Sequence, residues 1–235
     1  MIEIKSLTKK YGKKIAVDNL SLNIEAGDIY GFIGHNGAGK TTTIKSITGV
    51  IPFDEGEILI DGISIVKDSI AAKKLFAYIP DSPDLYPSMT GIKFINFICD
   101  IYEIGSKERQ ENIKKYSDLF EMTSVLGSPI SSYSHGMKQK LAIISALSHD
   151  PKLLILDEPF VGLDPKASYT LKEIMHELCN KGGAVFFSTH VLEVAEKLCN
   201  KIAIIKNGKL VRTGATSEVI GDNSLEHIFL ELIKE

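Results

Sequence analysis

Apolar and polar positions alternate at the start of the chain. Ile2 and Ile4, then Leu20, Leu22 and Ile24, recur every second residue, the period of a half-buried strand, and Glu25-Ala26-Gly27-Asp28 reads as a turn. Residues 1 to 30 are therefore expected to be rich in β structure. Ile29 to Ile33 is a short apolar run that enters a glycine-rich loop, and Lys40 to Gly49 carries helical spacing with Gly49 near its end. Glu57 to Ile65 alternates about Asp61-Gly62, and Ile202 to Val211 about Asn207-Gly208. Both dipeptides favour two-residue hairpins, and both stretches are expected to be peripheral β elements. From about Asp84 to Asp150 strand patterns disappear, while Ile113, Tyr116, Leu119 and Phe120 mark one apolar helical face, so an inserted helical lobe is expected there. Leu153 to Asp157, Ala184 to Ser188 and Ile202 to Ile205 are brief apolar stretches separated by helical segments, the pattern of parallel strands covered on both faces. Ser224 to Glu235 predicts a closing amphipathic helix. The class is α/β, with a mostly parallel sheet, peripheral antiparallel β elements and the helical lobe.

Composition narrows the picture. A chain of 235 residues, 44% hydrophobic and 24% charged, can bury a genuine core, and residues 1 to 235 are read as a single domain. A net charge of -3 gives no overall basic field, so nucleic acid is not an expected partner. Cys99, Cys179 and Cys199 are an odd set without metal-type spacing, as expected of reduced, buried thiols in cytosol. Met1 to Lys5 lacks the apolar run of a signal peptide, and no apolar run approaches the roughly 20 residues of a spanning helix. Membrane work would need a partner.

Gly34-His35-Asn36-Gly37-Ala38-Gly39-Lys40-Thr41 fits G-x-x-x-x-G-K-[ST] between a strand and a helix, the setting in which that pattern binds phosphate. The glycines let the backbone amides face phosphate oxygens, and the helix N-terminus adds partial positive charge. Lys40 is expected to reach the β- and γ-phosphates, Thr41 to offer a hard oxygen to Mg²⁺, and Thr42 to continue the binding segment. Asp157 and Glu158 emerge from an apolar strand 117 residues after Lys40. A metal ligand must stay ionised and a base must take a proton, so Asp157 is assigned to Mg²⁺ and Glu158 to the attacking water.

The order of motifs over nearly the whole chain resembles that of ATP-binding cassette transporter subunits. Tyr133-Ser134-His135-Gly136-Met137, followed by Lys138-Gln139-Lys140, resembles the signature of that family. The resemblance implies that Ser134 and Gly136 touch the γ-phosphate of ATP held by an opposite subunit, with His135 and Met137 departing from the commoner Gly and Gln. Gly162-Leu163-Asp164-Pro165 resembles the loop through which paired subunits communicate. His190, 32 residues past Glu158, resembles the switch histidine, and Tyr11 stands where an aromatic stacks on adenine. Without the resemblance, both would first be read as packing residues. Tyr78-Ile79-Pro80 is followed by Asp81 where the family usually has glutamine, and a carboxylate there can ligate Mg²⁺. Asp84 to Thr90 and the aromatics Phe94 and Phe97 would border the groove for a helix of the membrane subunit, or form the lobe's own core.

The resemblance implies a phosphate-loop NTPase fold and an ATPase using ATP and Mg²⁺. Its partners would be a second nucleotide-binding subunit, identical or not, and a separate transmembrane permease. It would lie in the cytoplasm, peripheral on the inner face of the membrane. The motif wording is most like exporters of drugs, peptides or lipids. Two other classes compete. A soluble cassette ATPase of translation or repair would resemble a fused pair or carry a long coiled-coil insertion, and a small-molecule kinase would have no use for Tyr133 to Lys140.

Overall fold

The computed structural model of the chain describes residues 1–234. Glu235, the last residue of the expected closing helix, lies outside the described residues. Two sheets organise the chain. The first is antiparallel, in the order β2 (Lys14–Ile24), β1 (Ile2–Tyr11), β4 (Glu55–Ile60), β5 (Ile63–Ser64). The second has six strands in the order β10 (Lys209–Ala215), β9 (Lys201–Lys206), β3 (Ile29–Ile33), β8 (Ala184–Thr189), β7 (Leu153–Asp157), β6 (Phe76–Ile79). All neighbours in it run parallel except β10, which pairs antiparallel with β9.

The central strands read as continuous apolar runs because each face of the second sheet meets its own core. In β7, Leu153 and Ile155 point to one side and Leu154 and Leu156 to the other. In β8, Phe186 and Phe187 divide in the same way. This is the period-two alternation of a strand, here with both faces dry. One core lies between the two sheets and takes up α1 (Lys40–Ile47) and α2 (Ser69–Lys73) through Ile44, Ile47 and Ala72. The other holds α3 (Gly91–Ile101), α4 (Ser106–Leu119), α5 (His135–Leu147), α6 (Pro165–Asn180) and α7 (Leu192–Leu198), then Val219 of α8 (Thr216–Ile220) and Leu225 of α9 (Leu225–Lys234). Phe186 and Phe187 are fully buried, and truncating either to alanine would cost about 3–5 kcal/mol.

Helices α3 to α5 occupy the interval between β6 and β7, where helix was expected. Hairpin β9–β10 meets one expectation, a buried parallel strand at Ile202 to Ile205, and departs from the other, a wholly peripheral position. Its turn is the predicted one, but β9 lies inside the second sheet beside β3, so only β10 is peripheral. Its apolar run Ile202 to Ile205 is the physical reason: all four residues are buried on one core or the other. Strand β6 carries too short a pattern to stand out in the sequence, and it closes the opposite edge.

Candidate active site

Strand β3 ends at Ile33, and residues 34 to 39 wrap around the N-terminus of α1. Position 39 has to be glycine: its φ is +113°, and a Cβ there would lie 2.6 Å from the Ala16 carbonyl oxygen. Beneath the loop Gly34 and Ala38 are buried, whereas His35, Asn36, Gly37, Gly39, Lys40, Thr41 and Thr42 line a cleft of about 450 Å³. Backbone amides and the helix dipole give this wall a positive character suited to phosphate. The Lys40 stem is buried, and its ammonium donates to the Gly34 carbonyl at 2.7 Å and lies 3.4 Å from Glu158 Oε1. Tyr11, half exposed, stands on the opposite wall with Lys14, Ile15 and Ala16.

The carboxylates come from the end of β7, where strand register puts Asp157 beside Ser188 of β8. Ser188 Oγ donates to Asp157 Oδ1 at 2.5 Å and accepts from the Glu158 amide at 3.1 Å. Asp157 is buried, and its Oδ2 has no hydrogen-bond partner. A buried carboxylate oxygen of this kind calls for a ligand. Glu158 adopts φ +50°, a left-handed conformation costly for a non-glycine residue. It is fixed from both sides, its amide also donating to the Ser188 carbonyl at 3.2 Å and its carbonyl accepting from Val161 N at 3.2 Å. The Glu158 side chain faces the cleft and is nearly buried, with His190 Nδ1 3.0 Å from Oε2. The arrangement can accept a proton from a water at the phosphate end of the cleft.

Asp81 lines the same cleft, just past β6. The buried Tyr78 hydroxyl also lacks a partner, and burial, then the charges of Asp157 and Asp81, push its ionisation well above the usual tyrosine value. Among the described residues no three His, Cys, Asp or Glu side chains are clustered to hold a metal by themselves. Mg²⁺ is commonly bound by one or two carboxylates plus substrate phosphates. The Thr41 hydroxyl, the unpartnered Asp157 oxygen and the nearby Asp81 carboxylate fit that donor set.

Of the residues expected at the site, the cleft gathers Tyr11, 35 to 37, 39 to 42, Asp81 and Glu158, with Asp157 and His190 packed around Glu158. Ser134 and Gly136 do not line it. Ser134 Oγ instead accepts from Met137 N at 3.3 Å and caps α5. The His135 ring covers Gly162, where an added Cβ would lie 2.6 Å from His135 Cδ2. Lys140 Nζ meets Asp164 Oδ2 at 2.6 Å, and Asp164 Oδ1 caps α6 by accepting from Ala167 N at 2.8 Å. The hydrogen bond from Lys140, then that from the Ala167 amide, hold the Asp164 carboxyl below the usual carboxylate range. The signature turn and the 162–164 turn are thus tied within one chain. Sequence reasoning missed Ser188, Tyr78, Lys14, Ile15, Ala16, Asn207 and Gly208. Of these, Tyr78 carried a signal only as part of the Tyr78-Ile79-Pro80 stretch that marks Asp81, and Asn207-Gly208 only as a turn.

Comparison with known proteins follows the same lines. The sequence model described as "ABC transporter" matches residues 17–161. The chain is 35% identical over 240 residues to the ABC-type transporter ATP-binding protein EcsA of Bacillus subtilis, covering 100% of this chain and 97% of that protein. It is 33% identical over 219 residues to the linearmycin resistance ATP-binding protein LnrL of the same organism, covering 93% and 70%. Among solved structures, an ATP-binding subunit of an ABC transporter superposes with a TM-score of 0.95 at 32% identity, covering 99% of each chain. A dimeric post-hydrolysis state of the cassette MJ0796, bound to ADP and Pi, gives 0.82 at 25% identity over 92% of this chain and 99% of that one.

Proposed function

Because this chain belongs to the ABC transporter family, as an ATP-binding and ATP-hydrolysing subunit, we propose that two such subunits enclose two ATP molecules and drive a separate transmembrane permease. One observation carries this reading. The cleft holds the phosphate loop and Glu158, yet Ser134 and Gly136 of the same chain stay outside it. A second subunit facing the first would bring its Ser134 and Gly136 onto the triphosphate, and neither copy would be complete alone. The two ATP molecules then act as interfacial ligands that favour the closed pair, and hydrolysis removes the bridge. We take residues 1–235 as one nucleotide-binding domain, with 84–150 as its helical part.

In each cleft the loop amides and the Lys40 ammonium bind and orient the β- and γ-phosphates, while Tyr11 stacks on adenine. The Glu158 carboxylate takes a proton from a water whose oxygen attacks the γ-phosphorus, and the bond to the β,γ-bridging oxygen breaks to leave ADP and phosphate. His190 holds Glu158 and the water in line. Thr41, Asp157 and Asp81 would hold Mg²⁺, which neutralises phosphate charge when bound.

The permease reading draws support from the helical part. Tyr86, about half exposed, lies with its ring centroid 6.3 Å from Phe94 and 6.0 Å from Phe97, so an aromatic cluster reaches the surface of the helical part. Among the described residues no helix is long and apolar enough to cross a membrane; in the proposed scheme the membrane step belongs to the permease, with this chain docked on its inner face. Export is the direction we favour, since drug resistance is the business of relatives such as the linearmycin resistance ATP-binding protein of Bacillus subtilis.

Glu158→Gln tests the scheme. Losing the base is expected to cut turnover by about 10²- to 10⁴-fold and to trap an ATP-bound dimer visible by gel filtration. A variant that remains monomeric with saturating Mg·ATP would sink the two-subunit site.

A further inference from the structure

The tip of the β9–β10 hairpin is wedged between the two walls of the nucleotide cleft. Gly208 N donates to the Ala38 carbonyl of the phosphate loop at 2.8 Å, and Gly208 O accepts from Asp18 N of β2 at 2.9 Å. One residue therefore hydrogen-bonds to the phosphate loop on one side and to the base-side strand on the other. The fit is close. A Cβ on Gly208, whose φ is +81°, would lie 2.8 Å from Ala16 O, 3.0 Å from Ala16 C and 3.3 Å from Val17 Cα. All three atoms are backbone of β2, so the added atom would press on β2 and not on the phosphate loop. Asn207, at φ +51°, supplies the other left-handed residue of the turn, and both residues line the cleft.

We infer that Asn207-Gly208 is a positioning element for nucleotide recognition: it fixes how far the wall carrying Tyr11, Ile15 and Ala16 stands from the phosphate loop, and so sets whether base and triphosphate can be engaged together. The phosphate loop is rooted in the second sheet and in the buried helix α1. The β2 wall belongs to the other sheet, where β1 and β2 pair through register shifts between Ile4 and Lys10. A disturbed turn moves the base wall and leaves the phosphate wall in place. This inference rests on the cleft being the nucleotide site.

The test compares ATP with tripolyphosphate, which carries the phosphates without base or ribose, by calorimetric titration in Mg²⁺. Gly208→Ala is expected to weaken ATP binding about ten-fold or more while tripolyphosphate binding changes less than about two-fold, with KM for ATP rising more than kcat falls. Should that variant not fold, Asn207→Val strains the left-handed turn while leaving Gly208 in place. It is expected to raise the ratio of ATP to tripolyphosphate dissociation constants by about three-fold, and by more than Asn207→Gly, which keeps the left-handed backbone. Equal losses for both ligands, or none, would overturn the role of the turn. Unchanged ATP affinity in Lys40→Ala would instead remove the nucleotide site itself, a separate failure.

Discussion

Ser188 joins the two carboxylates of the site, and Ser188→Ala isolates what that junction contributes. The side chain is fully buried, so no water replaces the lost hydroxyl without rearrangement. Its removal leaves both oxygens of the buried Asp157 without a protein partner, since Oδ2 already lacks one. It also withdraws one of the acceptors that hold the Glu158 amide in its left-handed conformation. A hydrogen bond to a charged group contributes about 1.5–3 kcal/mol, which for a chain of this size lowers Tm by about 3–12 °C. If all of that energy is expressed in the transition state, kcat falls by about 10- to 150-fold. Mg·ATP discriminates further. A cation on Asp157 restores a partner to the carboxylate, so the Tm deficit should narrow when Mg·ATP is present and persist when ATP is given with EDTA. Scanning fluorimetry under both conditions and a phosphate-release assay read the two effects. A Tm within about 1 °C of the parent, together with parental kcat, refutes the claim that Ser188 organises these carboxylates.

Three further outcomes follow from the same geometry. Asp81→Ala should raise the Mg²⁺ concentration needed for half-maximal turnover while leaving ATP affinity in EDTA unchanged; parental turnover at every Mg²⁺ concentration would reject a metal role for Asp81. His149, buried and stacked on Tyr102 at 3.6 Å, has its pKa lowered from 6.5 to about 4, chiefly by burial. The unfolded chain therefore binds a proton first as pH falls below 6.5, and the folded state loses about 2 kcal/mol by pH 5. His149→Phe keeps the stack and should remove that part of the pH dependence in urea titrations at pH 7 and 5; identical pH dependence in both proteins would contradict it. Asp164→Ala should cost about 1 kcal/mol through loss of the α6 cap, whereas Asp164→Asn keeps a capping oxygen and loses only the Lys140 pair. Matching urea midpoints for the two variants would deny the cap its share.

Much of the site was legible because its signals are local. The strand-loop-helix order around Lys40, and the apolar strand that delivers Asp157 and Glu158, each lie within about twenty residues of sequence. The shared character of the second sheet was legible too, since strands buried on both faces read as unbroken apolar runs. What stayed hidden depends on register between distant segments. Ser188 becomes a partner of Asp157 only because β7 and β8 pair in parallel with those residues opposite, and nothing in Phe187-Ser188-Thr189 announces it. Tyr78 sits near the same carboxylate through the pairing of β6 with β7. Asn207-Gly208 was recognisable as a turn, but its wedging against Ala16 and Ala38 arises where two sheets meet, which no window of sequence spans.

The contact between Lys40 and Glu158 works as an interlock. One ammonium serves two anionic claimants, so phosphate oxygens that draw Lys40 toward themselves also draw it away from the carboxylate. Filling the cleft and freeing the carboxylate that faces it would then be a single event, reversed when the same lysine swings back.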